Sequence, residues 1–139
     1  MFIMKYYVDT SIWRDYYEDR KDNLKPLGEF AFEFFRKVKI NNDKILYSDL
    51  VIEELNKAYN NDEIKQIFNI IQEDNLLEKV EISKIQVKEA LELKRRLQIP
   101  FGDALHAILA KDNDAILITR DEHFQKLDFV NVKKPEDLI

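Results

Sequence analysis

Five short β-rich runs, each parted from the next by longer stretches that read mostly as helix, constrain the fold of this chain more than any other feature. They are residues 3–8 (IMKYYV), 44–47 (KILY), 76–82 (LLEKVEI), 115–119 (AILIT) and 130–132 (VNV). Antiparallel neighbours can be joined by a two-residue turn, whereas parallel neighbours need a long crossover, usually a helix. Strands alternating with helices therefore predict a central, mainly parallel five-stranded sheet with helices on both faces, a three-layer α/β/α sandwich. The 139 residues suit a single domain, 1–139, long enough to bury a sizeable core.

The intervening segments carry boundary signals of their own. Thr10 to Tyr17 reads as a helix start, and residues 19–26 (DRKDNLKP) as a loop whose Pro26 suits the first turn of the next helix. Leu27, Phe30, Ala31, Phe34, Phe35 and Val38 then repeat at helical spacing to about Lys39. Ser48 or Asp49 is expected to cap a helix through about Tyr59, with residues 60–63 (NNDE) breaking it before another helix to about Glu73. Ser83 starts a helix to about Leu97. After QIPFG at 98–102, Asp103 to Lys111 form a nearly all-apolar helix, hence a buried one. Residues 120–127 (RDEHFQKL) read as a turn plus a short helix.

Composition narrows the classes. With 45% hydrophobic and 35% charged residues the chain reads as globular rather than disordered. It has no cysteine, which excludes a disulfide framework and a thiolate metal site. The N-terminal MFIMKYYVD is too short an apolar run for a signal peptide, and no stretch approaches the roughly 18 apolar residues of a membrane span, so the cytoplasm is the expected location. A net charge of −5 argues against a protein that coats itself with nucleic acid. An enzyme that cuts nucleic acid with metal ions must itself concentrate acids at one point, so the charge balance does not decide between the two.

In open parallel sheets the functional crevice lies beyond the carboxyl ends of the strands. Asp9 directly follows the first strand, and Asp121 follows the fourth after Thr119 and Arg120. Glu54 lies in the first turns after the second strand, and Asp103 heads the buried helix. Taken singly, each has a plain structural explanation: helix cap, first-turn acid, turn residue or solvated position. What points to function is that all four fall at one end of the expected sheet, three of them beside strongly apolar runs where an unpaired carboxylate is costly. Helix phase separates Glu54 from its neighbour. Val51, Ile52, Leu55, Ala58 and Tyr59 form the apolar stripe; Glu54 borders it, roughly 100° from its centre, while Glu53 points about 160° away.

Carboxylates gathered this closely repel, and one or two hard divalent cations resolve the conflict; oxygen donors select Mg²⁺ or Mn²⁺ over zinc. The chemistry such ions serve is in-line hydrolysis of a phosphodiester. Thr10, Ser11 and Thr119 lie next to the acids and are placed to orient a ligand there, and Arg14 and Arg120 are the candidates for holding phosphate. Spacing alone does not distinguish this site from another acid-rich α/β phosphate site.

Four segments, in this order, go further: YYVDTSIW at 6–13, SDLVIEEL at 48–55, IPFGDALHAILA at 99–110 and LITRDEHF at 117–124. Together they resemble the PIN-domain nucleases over essentially the whole chain, especially the compact VapC-type toxins of toxin–antitoxin pairs. The family's acid after the first strand matches Asp9, its glutamate before a leucine matches Glu54, its D-A-x-x-A aspartate matches Asp103, and its T-x-D aspartate matches Asp121. Thr10 and Thr119 match accompanying hydroxyl positions. The resemblance implies Mg²⁺- or Mn²⁺-dependent cleavage of RNA, a homodimer, and a small antitoxin that blocks the site. It extends equally to processing nucleases that are not toxins.

Other features have plainer readings. His106 is expected to pack beside the acids, and His123 to lie on the surface of a turn. Lys94, Arg95 and Arg96 suit the negative end of a helix dipole, or an RNA backbone. Phe32 falls roughly 130° off the apolar stripe of its helix. Phe32 and some of Trp13, Tyr16 and Tyr17 are the expected lining of a groove for an antitoxin or a second copy, the alternative being that they pack between the two helices. A haloacid-dehalogenase-type phosphatase would need an aspartate where Ser11 stands, and a receiver-type domain an acidic pair at the first strand end. A non-catalytic RNA- or protein-binding module of the same fold is the remaining rival, against which the intact acids speak.

Overall fold

The β-rich runs pair as one sheet in the order β3-β2-β1-β4-β5, every strand parallel to its neighbours. The computed structural model describes residues 2–72 and 75–139. Its elements in chain order are β1 (Lys5–Val8), α1 (Thr10–Glu18), α2 (Leu27–Asn41), β2 (Lys44–Tyr47), α3 (Asp49–Asn56) and α4 (Asn61–Gln72). There follow β3 (Leu77–Lys79), α5 (Lys84–Leu97), α6 (Phe101–Asp112), β4 (Ile116–Ile118) and β5 (Val132–Lys133), with short 3-10 turns at Glu122–Lys126 and Pro135–Leu138. Among the described residues no helix is long and apolar enough to cross a membrane.

Alternation along β1 assigns the layers, since successive side chains point to opposite faces. Tyr6 meets Phe34 of α2 edge to face, with ring centroids 5.3 Å apart, whereas the Tyr7 hydroxyl reaches His106 of α6 at 2.8 Å. Helices α1, α2 and α4 therefore cover one face, and α6, backed by α5, covers the other. The seven residues from Ala104 to Ala110 are all buried, as the apolar run of α6 requires. Trp13 is fully buried, stacked on Phe35 at 4.8 Å and edge-on to Phe68 at 4.7 Å. It thus belongs to the core rather than to a surface groove. Tyr16 and Tyr17 are only partly covered, and Phe32 is 45% exposed.

Several elements are shorter than the sequence pattern suggests, because a strand ends where its partner ends. The expected strand at 76–82 pairs only over Leu77–Lys79, and the last strand shifts to Val132–Lys133 beside β4. Both are sheet edges, where short strands limit unwanted pairing. Helix α3 stops at Asn56 rather than Tyr59, α6 starts two residues earlier than expected at Phe101, and Glu73, the expected end of α4, lies outside the described residues. The chain has only two glycines, so left-handed helix C-caps fall on Asp19, Asn42 and Gln98. Gly28 is used instead for a close approach: a Cβ there would lie 2.5 Å from Asp19 Oδ1 and 2.6 Å from its Cα, which lets α2 pack hard against the end of α1.

Candidate metal centre

The sheet ladder carries the first acid into place. The Asp9 N–H donates to the Ile118 carbonyl at 2.9 Å, one residue past β1, so Asp9 stands at the carboxyl end of the central strand. Thr119 leaves β4 beside it, its own N–H held by the Lys133 carbonyl at 3.0 Å. Glu54 comes from α3, which starts directly after β2, and Asp103 lies in the first turn of α6. Glu53 is exposed and Glu54 half-buried, in keeping with the helix phase.

Asp9 occupies the N-cap position of α1 but makes no side-chain cap bond. Its Oδ2 instead accepts from Thr119 Oγ1 at 2.8 Å and from Ser11 Oγ at 3.0 Å. Glu54 Oε1 likewise accepts two donors, Thr10 Oγ1 at 2.6 Å and His106 Nε2 at 2.7 Å. On each carboxylate one oxygen is pinned twice, while the other has no hydrogen-bond donor among the described residues. The three hydroxyls flanking the acids therefore all hold acid oxygens. Thr119 also accepts the Asp121 N–H at 3.1 Å, tying Asp9 to the turn that carries Asp121.

Asp103 and Asp121 meet across His123, whose Nδ1 lies 3.0 Å from Asp103 Oδ2 and 3.1 Å from Asp121 Oδ1. Asp121 also caps its own turn, accepting the His123 N–H at 2.9 Å. Ligand-capable atoms thus cluster in two trios, Asp9–Glu54–His106 and Asp103–Asp121–His123, each within 4.8 Å. His106 Nε2 stands 4.0 Å from Asp9 Oδ1, and Asp103 feels the charge of Asp9.

Electrostatics distinguish the acids. Burial pushes Asp103 up from 3.8 to about 6; the His123 hydrogen bond opposes this, while the charges of Asp121 and Asp9 add to it. A carboxyl raised by burial and by its own kind is stabilised by further positive charge. Burial alone would raise Glu54 too, but the His106 and Thr10 hydrogen bonds outweigh it and hold Glu54 below the ordinary carboxylate range. His123 is pushed up, first by its bond to Asp103 and then by the Asp121 charge. Carboxylate oxygens left without a donor on Asp9 and Glu54, and the two trios in which ligand-capable atoms converge, are chemistry that suits a hard divalent ion.

The two arginines expected to hold phosphate each pair with carboxylates of the chain. Arg14 pairs with Glu18 at 3.0 Å and sits over the Tyr59 ring, and Glu18 also accepts a hydrogen bond from Tyr59. Arg120 turns away to Glu136 at 2.7 Å and to the buried Asp15 at 3.5 Å, tying the chain end to α1. Sequence reasoning put His123 on a surface turn, where it is, without seeing that it bridges two acids. Tyr7 and Ser48 were missed altogether: one reads as a core strand residue, the other as a helix cap. Ser48 does hold the N-cap position of α3, but its hydroxyl goes inward to Tyr7 at 2.7 Å.

A parallel sheet with carboxylates gathered beyond its central strand ends defines an α/β domain of the acid-cluster kind. The chain belongs to the PIN domain family, whose sequence profile matches residues 6–130. No curated protein sequence matches it. Among solved structures it is similar to VapBC2 from Rickettsia felis bound to a DNA fragment from their promoter, at 19% identity and a TM-score of 0.69, covering 94% of this chain and 98% of that one. VapBC-1 from nontypeable Haemophilus influenzae gives 19% and 0.65, covering 95% and 98%. A toxin–antitoxin complex from Klebsiella pneumoniae gives 18% and 0.60, covering 93% and 96%. At these identities the likeness establishes the fold.

Proposed function

We propose that this chain is a Mg²⁺- or Mn²⁺-dependent endoribonuclease that hydrolyses RNA phosphodiester bonds, and that it is the toxin of a toxin–antitoxin pair. The observation that carries the reading is the pinning of Asp9 and Glu54 by one oxygen each, beside an Asp103 raised to about 6 first by burial and then by the charges of Asp121 and Asp9. A bound divalent ion supplies activation of water and neutralisation of charge on the attacked phosphate and the leaving oxygen. The chain's own residues do the rest. Thr119 and Ser11 orient Asp9, Thr10 and His106 orient Glu54, and His123 holds Asp103 and Asp121 together.

A strand lying on the acids needs cations for its flanking phosphates. Lys94, Arg95 and Arg96 are exposed at the end of α5, a few residues before Asp103. Arg14, Arg20, Arg36 and Arg120 each pair with a carboxylate, which leaves Arg95 and Arg96 as the unpaired arginines among the described residues. This end of α5 is the proposed track for the RNA backbone. The toxin role, with a small antitoxin partner and a homodimer, rests on the resemblance of the four sequence segments and on the toxin–antitoxin complexes among the structural relatives.

The test is cleavage of single-stranded and structured RNA with Mg²⁺ or Mn²⁺, against EDTA and Asp9→Asn. Removing one acid of the cluster is expected to lower the rate by more than about 100-fold. Cleavage that survives both controls, or no cleavage of any RNA, overturns the proposal.

A further inference from the structure

Behind Glu54 runs a chain of buried polar groups that a core filled for packing alone would not contain. Ser48, Tyr7 and His106 are at most 1% exposed. Ser48 Oγ lies 2.7 Å from the Tyr7 hydroxyl, which lies 2.8 Å from His106 Nδ1, and His106 Nε2 lies 2.7 Å from Glu54 Oε1. A phenylalanine at position 7 would fill nearly the same volume, so the hydroxyl is there for its hydrogen bonds.

The direction of the chain follows from its ends. A carboxylate only accepts, so across the 2.7 Å contact His106 Nε2 carries the hydrogen and donates to Glu54 Oε1. In the tautomer with its hydrogen on Nε2, Nδ1 is the ring's acceptor, and the Tyr7 hydroxyl 2.8 Å away donates to it. Ser48 completes the series by donating to the Tyr7 oxygen. A ring fixed at both nitrogens cannot swing, and such outer hydrogen bonds set the orientation of metal-binding groups. Because Thr10 grips the same Oε1, the Glu54 carboxylate cannot rotate either. Its Oε2 faces the head of α6, where Gly102 leaves it room; a Cβ there would stand 3.1 Å away.

We infer that Tyr7 is a positioning residue for metal binding: with Ser48 it locks the His106 ring, which with Thr10 holds Glu54 Oε1 and leaves Oε2 presented to the divalent ion. This rests on the acid cluster being the metal site of the proposed nuclease.

The test is Tyr7→Phe, with Mn²⁺ affinity measured calorimetrically on the metal-free protein in the absence of RNA. The expected result is an affinity about 10–100-fold weaker, with the fold intact by circular dichroism. Tyr6→Phe, on the same strand but facing α2, is expected to bind as the wild type does. Long-range ¹H–¹⁵N NMR of His106 should show the proton on Nε2 in the wild type and loss of that single state in Tyr7→Phe. Should Tyr7→Phe fail to fold, Ser48→Ala serves instead, with an expected loss of about threefold or more. Unchanged affinity in the folded variant overturns the inference and leaves the nuclease reading standing. A wild-type protein that binds no Mn²⁺ overturns both.

Discussion

Without metal, the acid cluster should cost the fold stability, and Asp103→Asn should recover it. A carboxyl moved from 3.8 to about 6 corresponds to about 3 kcal/mol between its two protonation states. The Asp103 side chain is 19% exposed, and solvent screening reduces this to about 1–2 kcal/mol. The sign follows from proton counting. Between pH 3.8 and about 6 the folded protein holds a proton on Asp103 that the unfolded chain has lost, so wild-type stability falls as pH rises through that window. Above it the penalty is complete. Asp103→Asn in EDTA at pH 7.5 should therefore be more stable than wild type by about 1–2 kcal/mol, or about 3–8 °C in Tm. The gap should close as the pH falls towards 4. Saturating Mn²⁺ should reverse the order, because an ion bound only by the folded wild type adds about 2.7 kcal/mol at a hundredfold excess over its Kd. Urea unfolding followed by the fluorescence of Trp13, the single buried tryptophan, reads all three. If the variant is no more stable at pH 7.5, or the gap ignores pH, the reading of Asp103 as a strained member of a cation site fails.

Two further outcomes concern surfaces. Replacing Lys94, Arg95 and Arg96 together with glutamine should flatten the salt dependence of RNA binding by about 2 in the log–log slope, at about 0.7 per phosphate contact on a single strand. The measurement uses labelled single-stranded RNA in EDTA, and an unchanged slope would remove the end of α5 from the RNA track. Phe32→Ser should weaken the homodimer or the antitoxin complex by about tenfold or more, as expected for an aromatic contact at an interface. Light scattering and antitoxin titration check it, and no change in either would reduce Phe32 to an ordinary exposed side chain.

The acids were legible because their placement depends on local order: Asp9 and Asp121 follow strands, Asp103 lies in the first turn of α6, Glu54 lies in the helix after β2, and strands alternating with helices already imply a parallel sheet. The KILY strand is found over Lys44–Tyr47 as read. Glu54 over Glu53 was legible from helix phase, which needs no knowledge of the partner surface. What escaped depends on partners distant in sequence. The fate of Arg120 is set by Glu136 and Asp15, and nothing around position 120 announces either. Tyr7 sits in a run that alternation marks as core, and its hydroxyl becomes meaningful only when His106, ninety-nine residues on, is laid beside it. Ser48 carries the signature of a cap, yet burial turns its hydroxyl inward. Trp13 stays open between groove and core in the sequence because Phe35 and Phe68, which enclose it, are distant along the chain.

The strand order has a consequence for when the protein becomes competent. β1, made first, sits mid-sheet and pairs with β4, whose Ile118 lies opposite Val8. Asp9 is held by Thr119, and the four acids are spread from residue 9 to residue 121, so no amino-terminal fragment on the ribosome has a centre to load. At a synthesis rate of about 5–20 residues per second, competence arrives only when the last fifth of the chain has been made and docked. On the proposed reading as a nuclease, the growing chain is inert until then.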